Sequence, residues 1–225
     1  MSPKKRKEAE QEFEGKSPED IKEQIRAIKK EMRSIMDKME CPGDSLEPIM
    51  TRSGHEELRI CRERLASAKE ALRFAGGIYM PDEEDIRSAE LLDNLPFFTK
   101  MTFEIGGYFG GYKTYIIEKE NASNRDGSSA YYEDDGITGI GEPVHTTILS
   151  ADAAEKLIDL LKEMHIDEWM PDYWPDRFGM SVMDGTQWSL KIDFGNGHDT
   201  WESSGSNSYP YNFSLIRMLF DPFAM

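Results

Sequence analysis

The stretch QWSLKIDFGNGHDTWESSGSNSYPYNFSLIRMLF, residues Gln187 to Phe220, decides the fold of this chain. Four apolar side chains between Trp188 and Phe194 alternate with polar ones, a pattern typical of a strand with one buried face. Gly195-Asn196-Gly197 favours a tight reversal into a second strand over 198–204. A closing helix is predicted over 211–220. The pattern predicts a hairpin packed under a helix, with Trp188 buried at the centre of the sheet.

The composition indicates a folded protein without a membrane span. Of the 225 residues, 38% are hydrophobic and 31% are charged, which does not fit wholesale disorder. No apolar run approaches the roughly 20 residues that a transmembrane helix needs. The basic segment Met1–Lys7 leads into EAEQEFEGK and not into the apolar part of a secretory signal. We therefore expect a cytoplasmic protein that does not contact a membrane.

The cysteines and histidines give no sign of a metal or disulfide site. The chain has two cysteines, Cys41 and Cys61, and four histidines. None of them falls in HExxH or in a paired Cys/His spacing. We expect neither a metal ion nor a cofactor.

Residues 1–16 form a tail whose charge changes sign. Pro3–Lys7 is similar to a short basic nuclear-import signal, and such a run also suits contact with nucleic acid. Four glutamates between Glu8 and Glu14 follow at once and cancel its field. We predict a disordered basic and acidic tail, and a solvated terminus is favoured over nuclear import.

Residues 17–76 show the pattern of two helices. Ser17 is a helix N-cap, with Pro18 at the first helical position. The first helix repeats apolar residues every three or four positions: Ile21, Ile25, Ile28, Met32, Ile35 and Met39. The second helix does the same until Gly76-Gly77: Leu58, Cys61, Leu65, Ala68, Leu72 and Ala75. Two such seams joined by a short loop predict an antiparallel helical hairpin with coiled-coil spacing.

Two roles fit this hairpin. Its helices either pack only against each other, or they also form an arm for a partner or for a homodimer. Packing alone is favoured, and a homodimer through the hairpin stays open.

Charge divides the chain where the second helix ends. Residues 1–76 hold 17 basic and 16 acidic side chains, whereas residues 77–225 hold 10 and 27, a net charge of −17. We predict a boundary at Gly76-Gly77 between the hairpin, 17–76, and a second domain, 78–225. The strongly negative charge of the second domain disfavours direct nucleic-acid binding, because binding to a phosphate backbone requires clustered Lys and Arg.

The second domain is predicted to be α+β, with an antiparallel sheet covered by helices. Besides the strands described above, the pattern predicts strands over 101–108, 112–119, 144–149 and 178–183. Helices are predicted over 83–92, 151–164 and 211–220. Asp184-Gly185 is expected to join the strand over 178–183 to the Gln187 strand as a hairpin.

Two stretches resemble a known group of proteins. DGTQWSLKIDF, from Asp184, and SSGSNSYPYNF, from Ser203, are similar to the C-terminal half of small bacterial α+β proteins with a DG…W…L…I…F strand and a G-N-x-Y-P-x-N-F closure. The resemblance covers about residues 101–220 and leaves out the hairpin. It implies the fold type and a bacterial or phage source. That group has no established activity, so the resemblance implies no catalytic residue.

Aromatic and acidic side chains are the candidates for a binding surface. Aromatic rings give a large contact area with few rotatable bonds, which suits stacking on a sugar or anchoring a protein. The candidates are Tyr108, Tyr112, Tyr173, Trp174, Trp201, Asp167 and Glu168. For each ring, packing in the core or at its rim is the competing role.

The sequence favours binding over catalysis. Gly205-Ser206-Asn207-Ser208 lacks the spacing of a nucleophile turn, and pairs such as Asp167 and Glu168 arise by chance among 43 acidic residues. We therefore expect a non-enzymatic protein-binding factor of bacterial or phage type, such as an immunity or anti-defence factor, that acts through an acidic surface. The alternative is a small hydrolase or a carbohydrate-binding module with an aromatic-acidic cleft.

Overall fold

The computed structural model describes residues 12–13, 15–41, 53–107, 111–120, 129–133, 142–181 and 185–220, with backbone alone at 129–133 and 142–143. The chain divides into two units, Met1–Pro81 and Asp82–Met225. The first unit contains helices α1 (Pro18–Glu40) and α2 (Gly54–Phe74). The second contains helices α3 (Glu83–Asn94), α4 (Ala151–Glu163) and α5 (Phe213–Phe220). Its strands are β1 (Phe98–Gly107), β2 (Gly111–Lys119), β3 (Ser129–Glu133), β4 (Glu142–Leu149), β5 (Asp172–Tyr173), β6 (Gln187–Phe194) and β7 (Trp201–Ser206).

Helices α1 and α2 form an antiparallel hairpin. The end of α1 meets the start of α2, since a Cβ placed on Gly54 would lie 2.5 Å from the sulfur of Met39. At the other end of the pair, Pro18 and Leu72 both lie against Gly77. The predicted helical hairpin is therefore confirmed.

Each helix of the hairpin buries one stripe of side chains. Ser17 and Ser53 cap the two helices, and each side chain accepts a hydrogen bond from a backbone N–H three residues on. The stripe of α1 consists of Ile21, Ile25, Ile28, Met32, Ile35, Met36 and Glu40. The stripe of α2 consists of Gly54, Leu58, Cys61, Ser67, Ala68 and Leu72. Met36 and Glu40 lie outside the predicted seam, because a straight helix drifts away from a strict seven-residue repeat.

Seven strands form one mixed sheet in the order β3-β4-β2-β1-β6-β7-β5. β1 pairs antiparallel with β2 and β6, β6 with β7, and β3 with β4. β2 runs parallel to β4, and β5 runs parallel to β7. The α+β class is confirmed, but the prediction of a purely antiparallel sheet is wrong. At both parallel pairs a long connection containing other elements replaces the short hairpin turn of an antiparallel pair.

The stretch predicted as a strand over 178–183 adopts another structure in its described part. Pro175–Phe178 is a 3-10 helix that ends at Gly179 with a φ of 69°. Residues 179–181 belong to no strand, and 182–184 lie outside the described residues. The strand prediction is wrong over 178–181, because Pro175 fixes its own φ and favours a turn. The short strand β5 lies beside β7 instead.

The inner face of the sheet carries the main hydrophobic core. Trp188, Leu190 and Ile192 alternate inward along β6, and each is at most 3% exposed. The two covering helices α4 and α5 add Ala154, Leu157, Ile158, Leu161, Phe213, Ile216 and Phe220. The Trp188 ring centroid lies 5.7 Å from that of Trp169. The prediction that Trp188 is buried is confirmed.

The opposite face of β1, β6 and β7 is polar, and we call it the outer face. Along β6 the residues between the inward ones are Gln187, Ser189, Lys191 and Asp193. The strand register places Ser189 between Glu104 of β1 and Ser204 of β7. Because side chains alternate along a strand, these groups share one surface.

Candidate binding site

The six described site candidates lie in three separate places of the second unit. Two aromatic residues are in the core, two acidic residues are in a turn, and two aromatic residues line a cleft on the outer face. Tyr108, the seventh candidate, lies outside the described residues.

Tyr173 and Trp201 are part of the core. Tyr173 is 1% exposed, and its hydroxyl accepts a hydrogen bond from the backbone N–H of Met170 at 3.0 Å. Trp201 is buried as well, and the guanidinium of Arg87 lies 5.0 Å from its ring centroid. Both rings therefore pack inside the unit, the competing role that the sequence left open. They offer little surface to a ligand.

Asp167 and Glu168 hold a turn against neighbouring segments. Both lie in the 3-10 helix Ile166–Glu168. The Ser88 hydroxyl of α3 donates to Asp167 at 2.7 Å, and the Tyr211 hydroxyl donates to Glu168 at 2.9 Å. Burial raises the pKa of Asp167, and the hydrogen bond from Ser88 opposes part of this rise. Each carboxylate therefore ties this turn to another part of the fold.

Tyr112 and Trp174 meet at a cleft on the outer face with a volume of about 250 Å³. Trp174 is 52% exposed, the most exposed of the four tryptophans. The cleft is lined by Glu104, Tyr112, Trp174, Gln187, Trp188, Ser189, Ser204, Gly205 and Ser206. An exposed indole beside polar groups is typical of a recognition surface, because its ring buries a large area on binding with few rotatable bonds.

Strand register brings the polar groups of the cleft together. Gln187 and Ser189 are successive outward residues of β6. Ser189 lies opposite Glu104 on one side and opposite Ser204 on the other, while Gln187 lies opposite Ser206. Three adjacent strands thus supply the floor of the cleft. Groups held by strands are placed more firmly than groups held by loops.

Hydrogen bonds within the cleft direct its hydroxyl protons. The Ser189 hydroxyl donates to Glu104 Oε2 at 3.2 Å. The Tyr112 hydroxyl donates to Gln187 Oε1 at 2.8 Å. A hydroxyl has one proton and two lone pairs, so the Ser189 hydroxyl keeps lone pairs for a ligand.

Close backbone packing fixes one end of the cleft. A Cβ placed on Gly107 would lie 2.5 Å from the carbonyl oxygen of Gly185. A Cβ on Gly185 would in turn overlap the side chain of Asn207, which has a φ of 53° and accepts from the N–H of Thr186 at 2.9 Å. Larger residues at 107 and 185 would therefore push the end of β1 and the segment before β6 apart. The segment leading into Gln187 is held in place by this packing.

The sequence missed the polar floor of the cleft. Glu104, Gln187, Ser189, Ser204 and Ser206 match no motif and are common residue types. The available signal was the alternation of side chains along each strand, which places these residues on the outward side. That signal assigns a face to each residue, but it does not say which strands are neighbours.

A second cavity, of about 390 Å³, lies in the helical unit between α1 and α2. Its lining includes Cys61, which is 3% exposed and whose thiol has a pKa raised by burial. Arg64 at its edge pairs with Glu31 at 3.2 Å and with Glu12 at 2.8 Å. This cavity contains none of the predicted site residues.

Neither metal ligands nor known relatives add to the chemistry of the cleft. Within the described parts of the chain, no group of three or more His, Cys, Asp or Glu side chains is placed to hold a metal ion. None of the described helices is long and apolar enough to cross a membrane. Comparison with protein-family models, curated proteins and solved structures finds no match for the chain.

Proposed function

We propose that this chain is a non-enzymatic binding protein whose α+β unit engages a partner protein, as an immunity or anti-defence factor of bacterial or phage type would. The observation that carries the proposal is the 52% exposure of Trp174 beside the outer-face cleft. The other three tryptophans are at most 7% exposed and belong to the core. Exposed tryptophan and tyrosine side chains are the residues that most often anchor protein interfaces.

The charge of the unit supports a partner with a basic surface. Residues 82–225 hold 10 basic and 27 acidic side chains, a net charge of −17. Helix α4 alone exposes Asp152, Glu155, Asp159 and Glu163. Such a field speeds association with a basic protein and opposes contact with a phosphate backbone.

The groups in the cleft suit binding better than catalysis. Glu104 is the one carboxylate among its described lining residues, and the three lining serines have no histidine beside them in that set. Glycoside hydrolysis normally uses two carboxylates, and a serine nucleophile needs an adjacent base. Hydrogen bonding to a ligand requires neither.

A carbohydrate-binding module, or a small hydrolase, is the second candidate. Hydroxyl and amide groups beside an aromatic ring also suit a sugar, whose C–H face can stack on the indole of Trp174. The volume of about 250 Å³ is below the roughly 300–1,000 Å³ of most small-molecule sites. The cleft therefore fits one sugar ring or one side chain of a protein.

Capture from lysate of the source cell separates these candidates. The baits are the tagged full-length chain, its Trp174→Ala variant and a Leu215→Ala control, which removes a 43% exposed apolar side chain on α5. We expect the wild type and the control to recover one stoichiometric protein, and Trp174→Ala to recover at least about tenfold less. Equal recovery by Trp174→Ala would contradict the proposal. Glycan-array hits without any protein partner would favour the second candidate.

A further inference from the structure

We infer that the outer-face cleft receives an arginine side chain of the partner protein. The inference rests on the proposed function and names the group that enters its site. Three properties of one cavity lead to it: its acceptor groups, its carboxylate and its exposed indole. Its volume of about 250 Å³ suits one inserted side chain.

The cleft is rich in hydrogen-bond acceptors. The hydroxyl protons of Ser189 and Ser204 point to the carboxylates of Glu104 and Asp172, 3.2 and 3.5 Å away, and that of Tyr112 points to an amide oxygen. The lone pairs of the Ser189 and Ser204 hydroxyls remain for a ligand. A guanidinium carries five N–H donors and no acceptor, so it complements such a surface. A sugar hydroxyl makes both kinds of bond and gains less from a surface where acceptors outnumber the donors, which are supplied by the Gln187 amide.

Glu104 gives the cleft a negative charge. The Ser189 hydroxyl binds Oε2 of this carboxylate, and Oε1 can accept from a ligand. Lys191, the next outward residue of β6 after Ser189, pairs with Glu202 at 3.4 Å. Hydrogen bonds between a carboxylate and a guanidinium are shorter and stronger than those between neutral groups.

Trp174 provides a face on which a guanidinium can stack. Cations, and arginine above all, bind over indole rings. The same unit already contains a guanidinium beside an indole, since Arg87 lies 5.0 Å from the Trp201 ring centroid, and a guanidinium beside a phenol ring, since Arg177 lies 5.2 Å from that of Tyr173. A lysine ammonium can also sit over the ring. It lacks the planar fork that reaches a carboxylate and several oxygens at once.

Titration of the full chain with single-residue probes tests the inference. The probes are N-acetyl-arginine methylamide, N-acetyl-lysine methylamide, methyl glucoside and N-acetyl-citrulline methylamide, a neutral isostere of the arginine probe. Binding is followed by the NMR shift of the Trp174 indole N–H. We expect the arginine probe to bind about tenfold more tightly than the citrulline probe, with lysine between them and no binding of the glucoside. Added salt should weaken only the two charged probes.

Two variants with the same change in net charge separate a contact from a general field. Glu104→Gln removes the charge and keeps an oxygen for the Ser189 hydroxyl. It should weaken the arginine probe about tenfold and leave the citrulline probe unchanged. Asp159→Asn, at an exposed position of α4 outside the cleft lining, should change neither.

Several results would overturn the arginine assignment. These are equal binding of the arginine and citrulline probes, binding of the glucoside alone, and no shift at the solubility limit of the arginine probe. If Glu104→Gln and Asp159→Asn weaken binding of the arginine probe equally, the effect comes from the overall negative charge and not from a contact with Glu104. That result would overturn the assignment too. The capture experiment judges the proposed function separately. If the partner is lost with Trp174→Ala but kept with Glu104→Gln, the proposed binding function stands and the assignment of an arginine to the cleft is wrong.

Discussion

The rings of Trp188 and Phe213 lie 4.8 Å apart between centroids, at an interplanar angle of 50°, and join strand β6 to helix α5. The indole N–H of Trp188 donates to the carbonyl oxygen of Ser208 at 2.9 Å. One side chain therefore holds both the closing helix and the segment that leads to it. Trp188 therefore stabilises the core, whereas the side chain of Trp174 is exposed at the surface.

Trp188→Ala should strongly destabilise the protein. The side chain is 3% exposed, so its removal leaves a cavity and costs about 3–5 kcal/mol. That loss is a large part of the roughly 5–15 kcal/mol by which domains are stable. Trp188→Phe should cost less, because most of the apolar volume remains, although part of the ring and the bond to Ser208 are lost. Urea denaturation measures both, and an unchanged midpoint for Trp188→Ala would show that this face of β6 is not packed in solution.

Asn212 supports a second buried contact beside Trp188. The indole N–H of Trp169 donates to Asn212 Oδ1 at 2.7 Å, and Asn212 Nδ2 donates to the carbonyl oxygen of Met164. Asn212→Leu leaves two buried groups without partners, which should cost about 1–3 kcal/mol for each group. The free energy of unfolding from chemical denaturation gives this number.

A double-mutant cycle separates this coupling from general packing. Trp169→Phe in the Asn212→Leu background removes the indole donor that has lost its partner. The two changes together should then cost less than the sum of the single changes. Simple additivity would mean that the hydrogen bond between the two side chains contributes nothing.

Asp167→Asn should stabilise the protein at neutral pH. Burial raises the pKa of Asp167 above its ordinary value of 3.8, so the folded state holds this proton more tightly than the unfolded state. The free energy of unfolding therefore falls as pH rises from the ordinary pKa through the folded pKa, and it stays lower above that interval. Asn keeps an oxygen for the Ser88 hydroxyl and does not ionise. Thermal melts across this pH range should be flatter for the variant, and an equally steep profile would assign the pH dependence to other groups.

The helical hairpin is predicted to be a separate folding unit. A chain starting at Ile78 should melt cooperatively, because the two units Met1–Pro81 and Asp82–Met225 each have internal contacts of their own. Circular dichroism and calorimetry of this shortened chain provide the test. An insoluble or non-cooperative fragment would mean that the hairpin completes the core of the second unit.

Local patterns in the sequence correctly predicted the elements whose structure depends on residues close to each other along the chain. The alternation in β6 placed Trp188 inward, and Ser17 marked the start of α1. Both depend on side chains within a few positions of each other. The parallel pairing of β2 with β4 was missed, because it depends on where a long connection returns to the sheet.

The neighbours Tyr173 and Trp174 show why the site was harder to predict than the fold. Both are aromatic, and the sequence grouped them in one surface. The structure buries the first to 1% exposure and leaves the second 52% exposed, because side chains alternate at the short strand β5. That strand could not be recognised locally, since it consists of two residues and pairs with a distant part of the chain. The floor of the cleft also depends on the order of the strands.

The Kd of the captured partner for the wild type and for Trp174→Ala, measured by calorimetry, tests most directly whether the outer-face cleft is the recognition site. We predict that Kd rises about 30-fold or more, which corresponds to the roughly 2 kcal/mol of an interface hot spot. The melting midpoint should stay close to that of the wild type, because the replaced side chain is 52% exposed. An unchanged Kd in a variant that remains folded would contradict the account.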